Sequence, residues 1–296
     1  MVAWPRVLRH RGHVGLPRLG RMSELHFVKG HGTENDFVLI PDANGRVELS
    51  EDRVRSICDR RAGVGADGLI RVVRTDACAD PAAVAARDQA VWFMDYRNAD
   101  GSVSEMCGNG VRVMALYLAT HADVDVRNRL PIATRGGVKT IEYDGAEITV
   151  DMGSPDVLSD TRISVADRVL AAKQISMGNP HAVAWVDDLE QVGDLKAAPG
   201  FDPDAFPHGV NVEFVTRRGE RHVAMRVFER GVGETRSCGT GACAVGITAA
   251  LADEAERGER YQVDVPGGTL HVTWTADDRV LLTGPAVLVA EGLLDI

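Results

Sequence analysis

The sequence predicts an α/β protein of the α+β type: two pseudo-symmetric halves, each a mostly antiparallel sheet packed around a central helix, with a cleft between them. Two observations carry this expectation. A Cys-Gly-x-Gly unit occurs at Cys107-Gly108-Asn109-Gly110 and again at Cys238-Gly239-Thr240-Gly241, each time after a strand-like run and a turn-rich loop and before a helix-like run. The remaining chain reads as short strands and tight turns, without the strand-helix-strand rhythm of a parallel sheet. A length of 296 residues is also more than one compact domain usually holds.

Along the chain, residues 1–21 carry Arg6, Arg9, Arg11, Arg18 and Arg21 and no acidic residue. No unbroken apolar stretch of the signal-peptide kind follows, so this segment is expected to be a disordered extension ahead of a natural start at Met22. Gly32 and Asn35 precede a strand at 37–40, as Gly178 and Asn179 precede one ending at Trp185. A helix-like stretch at 53–61 leads to Gly63-Val64-Gly65-Ala66-Asp67-Gly68 and a strand at 69–73. That run fits G-x-G-x-x-G in the wrong context, since a dinucleotide site needs the strand before and the helix after. Residues 63–67 form a weaker echo of 209–213. A strand at 91–96 and a loop at 98–102 lead to the first Cys-Gly-x-Gly and a helix at 111–119. A strand at 223–228 and a loop at 229–233 lead to the second and a helix at 242–251. Asp144-Gly145 between 139–143 and 147–151 is a hairpin signal, and 263–272 reads as another.

Composition excludes several classes. With 45% hydrophobic and 26% charged residues, the chain has an ordinary globular composition, and a net charge of −10 argues against a nucleic-acid partner. It has no apolar run of the roughly 20 residues that cross a bilayer. Cys58, Cys78, Cys107, Cys238 and Cys243 make an odd number without an export signal, so free thiols in a cytoplasmic setting are expected. No C-x-x-C or H-E-x-x-H spacing occurs, and no metal or cofactor is expected.

The duplication points to a reaction. A cysteine at a helix start is expected to have its pKa lowered into the range of about 3.5 to 7.5, and glycines let helix-start N–H groups approach a carboxylate. A thiolate on one side of the cleft and a thiol on the other can remove a proton from one face of a carbon and deliver one to the opposite face, which inverts it. Negative charge passing into a carboxylate would meet preorganised N–H donors. A reversible disulfide in a redox or binding protein remains the competing class.

The runs 32–37, 98–102, 106–110, 176–181, 228–231 and 237–242 together resemble diaminopimelate epimerase, over the chain from Met22 onward. The resemblance implies cofactor-independent conversion of LL- to meso-2,6-diaminopimelate for lysine and peptidoglycan synthesis, with a small amino acid as the partner molecule; a homodimer is left open. It implies a first half at 22–150, joined by C-terminal strands at 283–296, and a second half at 151–282. It implies Cys107 and Cys238 as the acid/base pair, with His181 and Glu229 tuning the thiols. Gly108, Asn109, Gly239 and Thr240 match the carboxylate cradles, and Asn35, Asn98, Asn179, Asn211, Glu229 and Arg230 match substrate contacts. Asn reads polar groups without adding charge, and Arg clamps a carboxylate. Gly68 departs from the pattern where some members carry a substrate-contacting Gln, and Glu34 stands where a small or apolar residue is frequent. A proline or hydroxyproline racemase is the alternative within enzymes. Cys58, Cys78 and Cys243 read as structural.

Overall fold

The computed structural model describes residues 24–122 and 124–295, so the expectation for residues 1–21 falls outside it. The strands are β1 (Glu24–Gly32), β2 (Asn35–Pro41), β3 (Gly68–Arg74), β4 (Trp92–Asn98), β5 (Leu130–Thr134), β6 (Gly137–Tyr143), β7 (Ile148–Asp151), β8 (Asp156–Val165) and β9 (Arg168–Ser176). They continue with β10 (Pro180–Trp185), β11 (Gly200–Phe201), β12 (Asn211–Gly219), β13 (His222–Glu229), β14 (Gly233–Thr235), β15 (Arg260–Val265), β16 (Gly268–Trp274), β17 (Val280–Gly284) and β18 (Val287–Asp295). The helices are α1 (Glu51–Cys58), α2 (Pro81–Ala85), α3 (Gly108–His121) and α4 (Gly239–Ala252).

The two halves repeat each other strand by strand. In the first, β1 pairs with β2, then β3, β4, β5, β6 and β7 follow in order; β2–β3 and β4–β5 are parallel and the other pairs antiparallel. In the second, the order β9, β10, β12, β13, β15, β16, β17 repeats the same senses, with β10–β12 and β13–β15 parallel. The last strands of the two series, β7 and β17, pair antiparallel and weld the halves into one 18-stranded sheet. β18 covers the free edge of β1 as β8 covers that of β9, so the chain's end is laid on its first half. An unpaired edge would leave a row of backbone donors and acceptors open to another chain.

Strand register fixes which residues are equivalent. Phe37 opposes Gly68, which opposes Asn98; His181 opposes Asn211, and the pair Val212–Phe228 puts Asn211 beside Glu229. Asn35 is therefore equivalent to Asn179, Phe37 to His181, Gly68 to Asn211, Ile70 to Glu213 and Asn98 to Glu229. The echo of 63–67 with 209–213 is displaced by this register, because Glu213 stands where Ile70 does and not where Asp67 does. Loop lengths drift between repeats; a hydrogen-bonded ladder does not.

Each sheet wraps one helix. α3 buries nearly its whole length and α4 is apolar all round, the pattern of helices enclosed on every side. Gly246 allows α4 to lie against β16, since a Cβ there would come 2.6 Å from Val272. Among the described residues no helix is long and apolar enough to cross a membrane.

Candidate active site

Cys107 and Cys238 occupy the N-cap positions of α3 and α4, both with extended backbone. The two helix starts abut across the seam. A Cβ added to Gly239 would lie 3.5 Å from Gly108 Cα and 3.4 Å from Asn109 Oδ1, and one added to Gly108 would lie 3.3 Å from Leu282. Glycine at the first position of each helix is what lets them come this close. Asn109 crosses the junction: its Nδ2 lies 3.2 Å from both the Ser237 carbonyl and Ser237 Oγ, and 3.1 Å from Asn35 Oδ1. Thr33 Oγ1 is 2.5 Å from Ser237 Oγ.

The thiols have different supports. Cys107 Sγ donates to Asn35 Oδ1 at 3.5 Å, and Asn35 Nδ2 donates to Asp67, which Arg60 holds at 2.5 Å. Cys238 Sγ accepts the Gly241 N–H at 3.4 Å and lies 3.5 Å from Thr240 Oγ1, which accepts from Asn179 Nδ2 at 3.3 Å. Asn179 Oδ1 is 3.1 Å from His181 Nε2, and His181 Nδ1 is 2.7 Å from Glu213 Oε1. An amide oxygen only accepts, so His181 Nε2 carries a proton. His181 and Glu213 are fully buried. In the first half the same positions are the apolar Phe37 and Ile70: Gly110 packs over Ile70 as Gly241 packs over Glu213 Oε1.

The expected lowering of the thiol pKa values is overturned. Burial pushes Cys107 up to about 11, against the opposing effect of the Gly110 N–H, and the Glu229 carboxylate adds to the rise. Burial likewise holds Cys238 well above the ordinary thiol range, with Glu229 and Glu213 adding to it. The helix-start N–H groups act in the expected direction, but desolvation of the thiolate is larger. Burial raises Cys58 to about 11 and Cys243 to about 12 as well. Unfolded thiols ionise near pH 8.5 to 9. Between that pH and about 11 the folded state binds more protons than the unfolded, so stability is full below about pH 8.5 and is lost as pH rises through the folded values. The melting temperature is therefore expected to hold from pH 7 to 8.5 and fall between pH 9 and 11, with a shallower fall in Cys243→Ala; a flat profile to pH 11 refutes the burial effect.

The sequence matches the family described as diaminopimelate epimerase over residues 27–158 and 174–289. It is 53% identical over 281 residues to a diaminopimelate epimerase of Streptomyces coelicolor, covering 92% of this chain and 96% of that one. It is 48% identical to the diaminopimelate epimerase of Rhodococcus jostii, covering 92% and 97%. The chain belongs to the diaminopimelate epimerase family. Solved structures of more distant proteins share the epimerase fold alone. One is a Bacillus anthracis phenazine biosynthesis protein of the PhzF family (TM-score 0.65, 17% identity, 92% and 99% covered). Another is a hydroxyproline epimerase from Agrobacterium vitis (TM-score 0.62, 14% identity, 92% and 91% covered).

In this member of the diaminopimelate epimerase family, the other residues singled out by sequence lie on the flanking ladders. Asn98 Nδ2 donates to Ser102 Oγ at 3.0 Å; Asn211 Oδ1 accepts the Arg230 N–H at 2.9 Å; Arg230 Nη1 donates to the His208 carbonyl at 2.8 Å. Glu229 accepts from Thr235 Oγ1, and burial raises its pKa. None of these bonds reaches the thiol network. Thr33, Ser237 and Glu213 do belong to that network; they lie within the runs at 32–37 and 237–242 and the echo at 209–213, which did not single them out as site residues. Both departures from the family pattern have a structural counterpart. A Cβ on Gly68 would lie 2.6 Å from the Tyr96 ring, so Tyr96 fills the space a side chain there would take. Glu34, in the left-handed region at φ 62°, pairs with Arg236 and ties the first loop to the start of α4. Among the described residues no group of His, Cys, Asp and Glu is arranged to hold a metal ion.

Proposed function

We propose that this epimerase inverts one α-carbon of LL-2,6-diaminopimelate to the meso form by a two-base transfer, with Cys107 and Cys238 facing opposite sides of the carbon and no cofactor. The observation that carries the reading is the meeting of two cysteine-capped helix starts at one seam. A substrate carboxylate placed there has the N–H groups of Gly108 and Asn109 on one side and of Gly239 and Thr240 on the other. As the α-proton leaves, charge flows into that carboxylate, and these donors are already in position. Asn35, Asn98, Asn179, Asn211, Glu229 and Arg230 line the substrate's polar groups in this reading, with His181 and Glu229 tuning the thiols. The halves at 22–150, with 283–296, and at 151–282 form the walls of the cleft. A cytoplasmic location and a role in lysine and peptidoglycan synthesis belong to the same reading, which leaves a homodimer open.

The raised thiol pKa values suit this chemistry. An amino-acid α-proton is very weakly acidic, and a thiolate whose conjugate acid lies near 11 is a stronger base than an ordinary one. Only one of the two thiols has to ionise in each turnover. The test is deuterium wash-in from heavy water, with diaminopimelate, proline and hydroxyproline compared side by side. Exchange and inversion of diaminopimelate alone is the expected result; turnover of proline instead, or no α-exchange with any substrate, ends the reading.

A further inference from the structure

Arg112, on α3, is the largest fully buried side chain among the described residues. All its hydrogen-bond acceptors are neutral: Asn109 Oδ1 at 2.9 Å, Thr33 Oγ1 at 3.4 Å, the Pro285 carbonyl at 3.4 Å and the Gly108 carbonyl at 3.5 Å. It forms no ion pair among the described residues. The titratable groups that face it are Cys107 at the start of α3, Cys243 on α4 and Glu147 on the turn before β7. Burial lowers its pKa to about 10, which leaves it charged at neutral pH.

A buried charge without a counter-ion is expensive and is rarely kept for packing alone. The fold does not require one here, because the equivalent position on α4 is Cys243, a buried thiol. Room has been left for the guanidinium: a Cβ on Gly32 would come 3.0 Å from Nη2. Its effect converges on the site. By occupying Asn109 Oδ1 it fixes which end of that amide faces Asn35 and Ser237, and through Thr33 it reaches Ser237 a second time. The anion missing from the protein is of the kind the proposed reaction brings: a carboxylate at the start of α3 that gains further negative charge as the α-proton leaves.

We propose that Arg112 is a positioning residue of this site, a buried cation that locks the Asn109 amide and supplies the positive potential that favours charge on the reacting carboxylate and on Cys107. The proposal rests on the epimerase reading for the carboxylate and, for Cys107, on the bonds of Arg112 to Gly108 and Asn109, the two residues that follow it. Glu229 faces both thiols, but Arg112 acts on Cys107 and Glu213 on Cys238, so removing the cation raises the cost of the Cys107 thiolate more than that of Cys238.

The experiment compares wild type, Arg112→Met and Arg112→Lys. Alkylation of each cysteine by iodoacetamide in the ligand-free protein is followed by peptide mass spectrometry across pH; kcat, KM and melting temperature are measured alongside. In R112M, alkylation of Cys107 at fixed pH is expected to slow by about tenfold, the equivalent of one pKa unit, while Cys238 stays within about twofold. The kcat is expected to fall by about 100-fold, with a smaller change in KM and no loss of melting temperature. R112K, which keeps the charge and loses the guanidinium fork, is expected to restore the Cys107 rate and recover kcat only in part. Wild-type alkylation and kcat in R112M overturn the proposal. So does a lowered melting temperature in R112M accompanied by wild-type kcat in R112K, which assigns Arg112 to packing. The alkylation ratio needs no turnover, so it still reads Arg112 if the diaminopimelate assay fails in the wild type.

Discussion

Cys107→Ala and Cys238→Ala are each expected to abolish epimerisation while leaving part of the α-proton exchange. With one thiol gone, the carbon has a proton source on one face only, and inversion loses at least the about 100- to 10,000-fold that a positioned acid or base contributes. The remaining thiol can still remove and return the proton on its own face. One variant is then expected to wash solvent deuterium into one stereoisomer without inverting it, and the other variant to prefer the opposite isomer. Serine at either position leaves a far weaker acid and base and is expected to be severely impaired as well. Proton NMR of diaminopimelate in heavy water follows exchange and inversion together. Near-normal inversion by either alanine variant would end the two-thiol reading.

The second large effect is expected at Glu213. Glu213→Leu removes the hydrogen-bond partner of a fully buried imidazole nitrogen, and an orphaned buried polar group costs about 1 to 3 kcal/mol. It also frees His181, and with it the bond from Nε2 that orients Asn179 toward Thr240 and Cys238. A fall of up to about 100-fold in kcat is expected, on the scale of a misplaced site group. The double variant His181→Phe with Glu213→Ile separates the two consequences, because it copies the Phe37 and Ile70 packing that the first half already uses. Its melting temperature is expected to recover most of the loss while turnover does not. Recovery of turnover together with stability would show that the buried pair serves packing alone.

Much of this protein could be read without coordinates, for a definite reason. The two Cys-Gly-x-Gly units, the Asp144-Gly145 hairpin and the strand-loop-helix order are local features, set by backbone freedom at glycine and by side-chain periodicity within a few residues. They were enough to predict two repeated halves and to single out both cysteines, and the helices begin directly after those cysteines. Asn35 and Asn179 could be paired because each marks the start of its own strand.

What the tertiary structure decided depends on groups distant in sequence and close in space. Glu213 lies among apolar strand residues, and only the register of β10 with β12 puts it against His181. Arg112 reads as one more helix arginine until α3 is enclosed and its charge has no counter-ion among the described residues. The thiol pKa values turned on the same distinction. Sequence places each cysteine at a helix start, a local effect that favours the thiolate, whereas the amount of water left around it is fixed by the closing of two sheets on one seam, and that desolvation outweighs the helix.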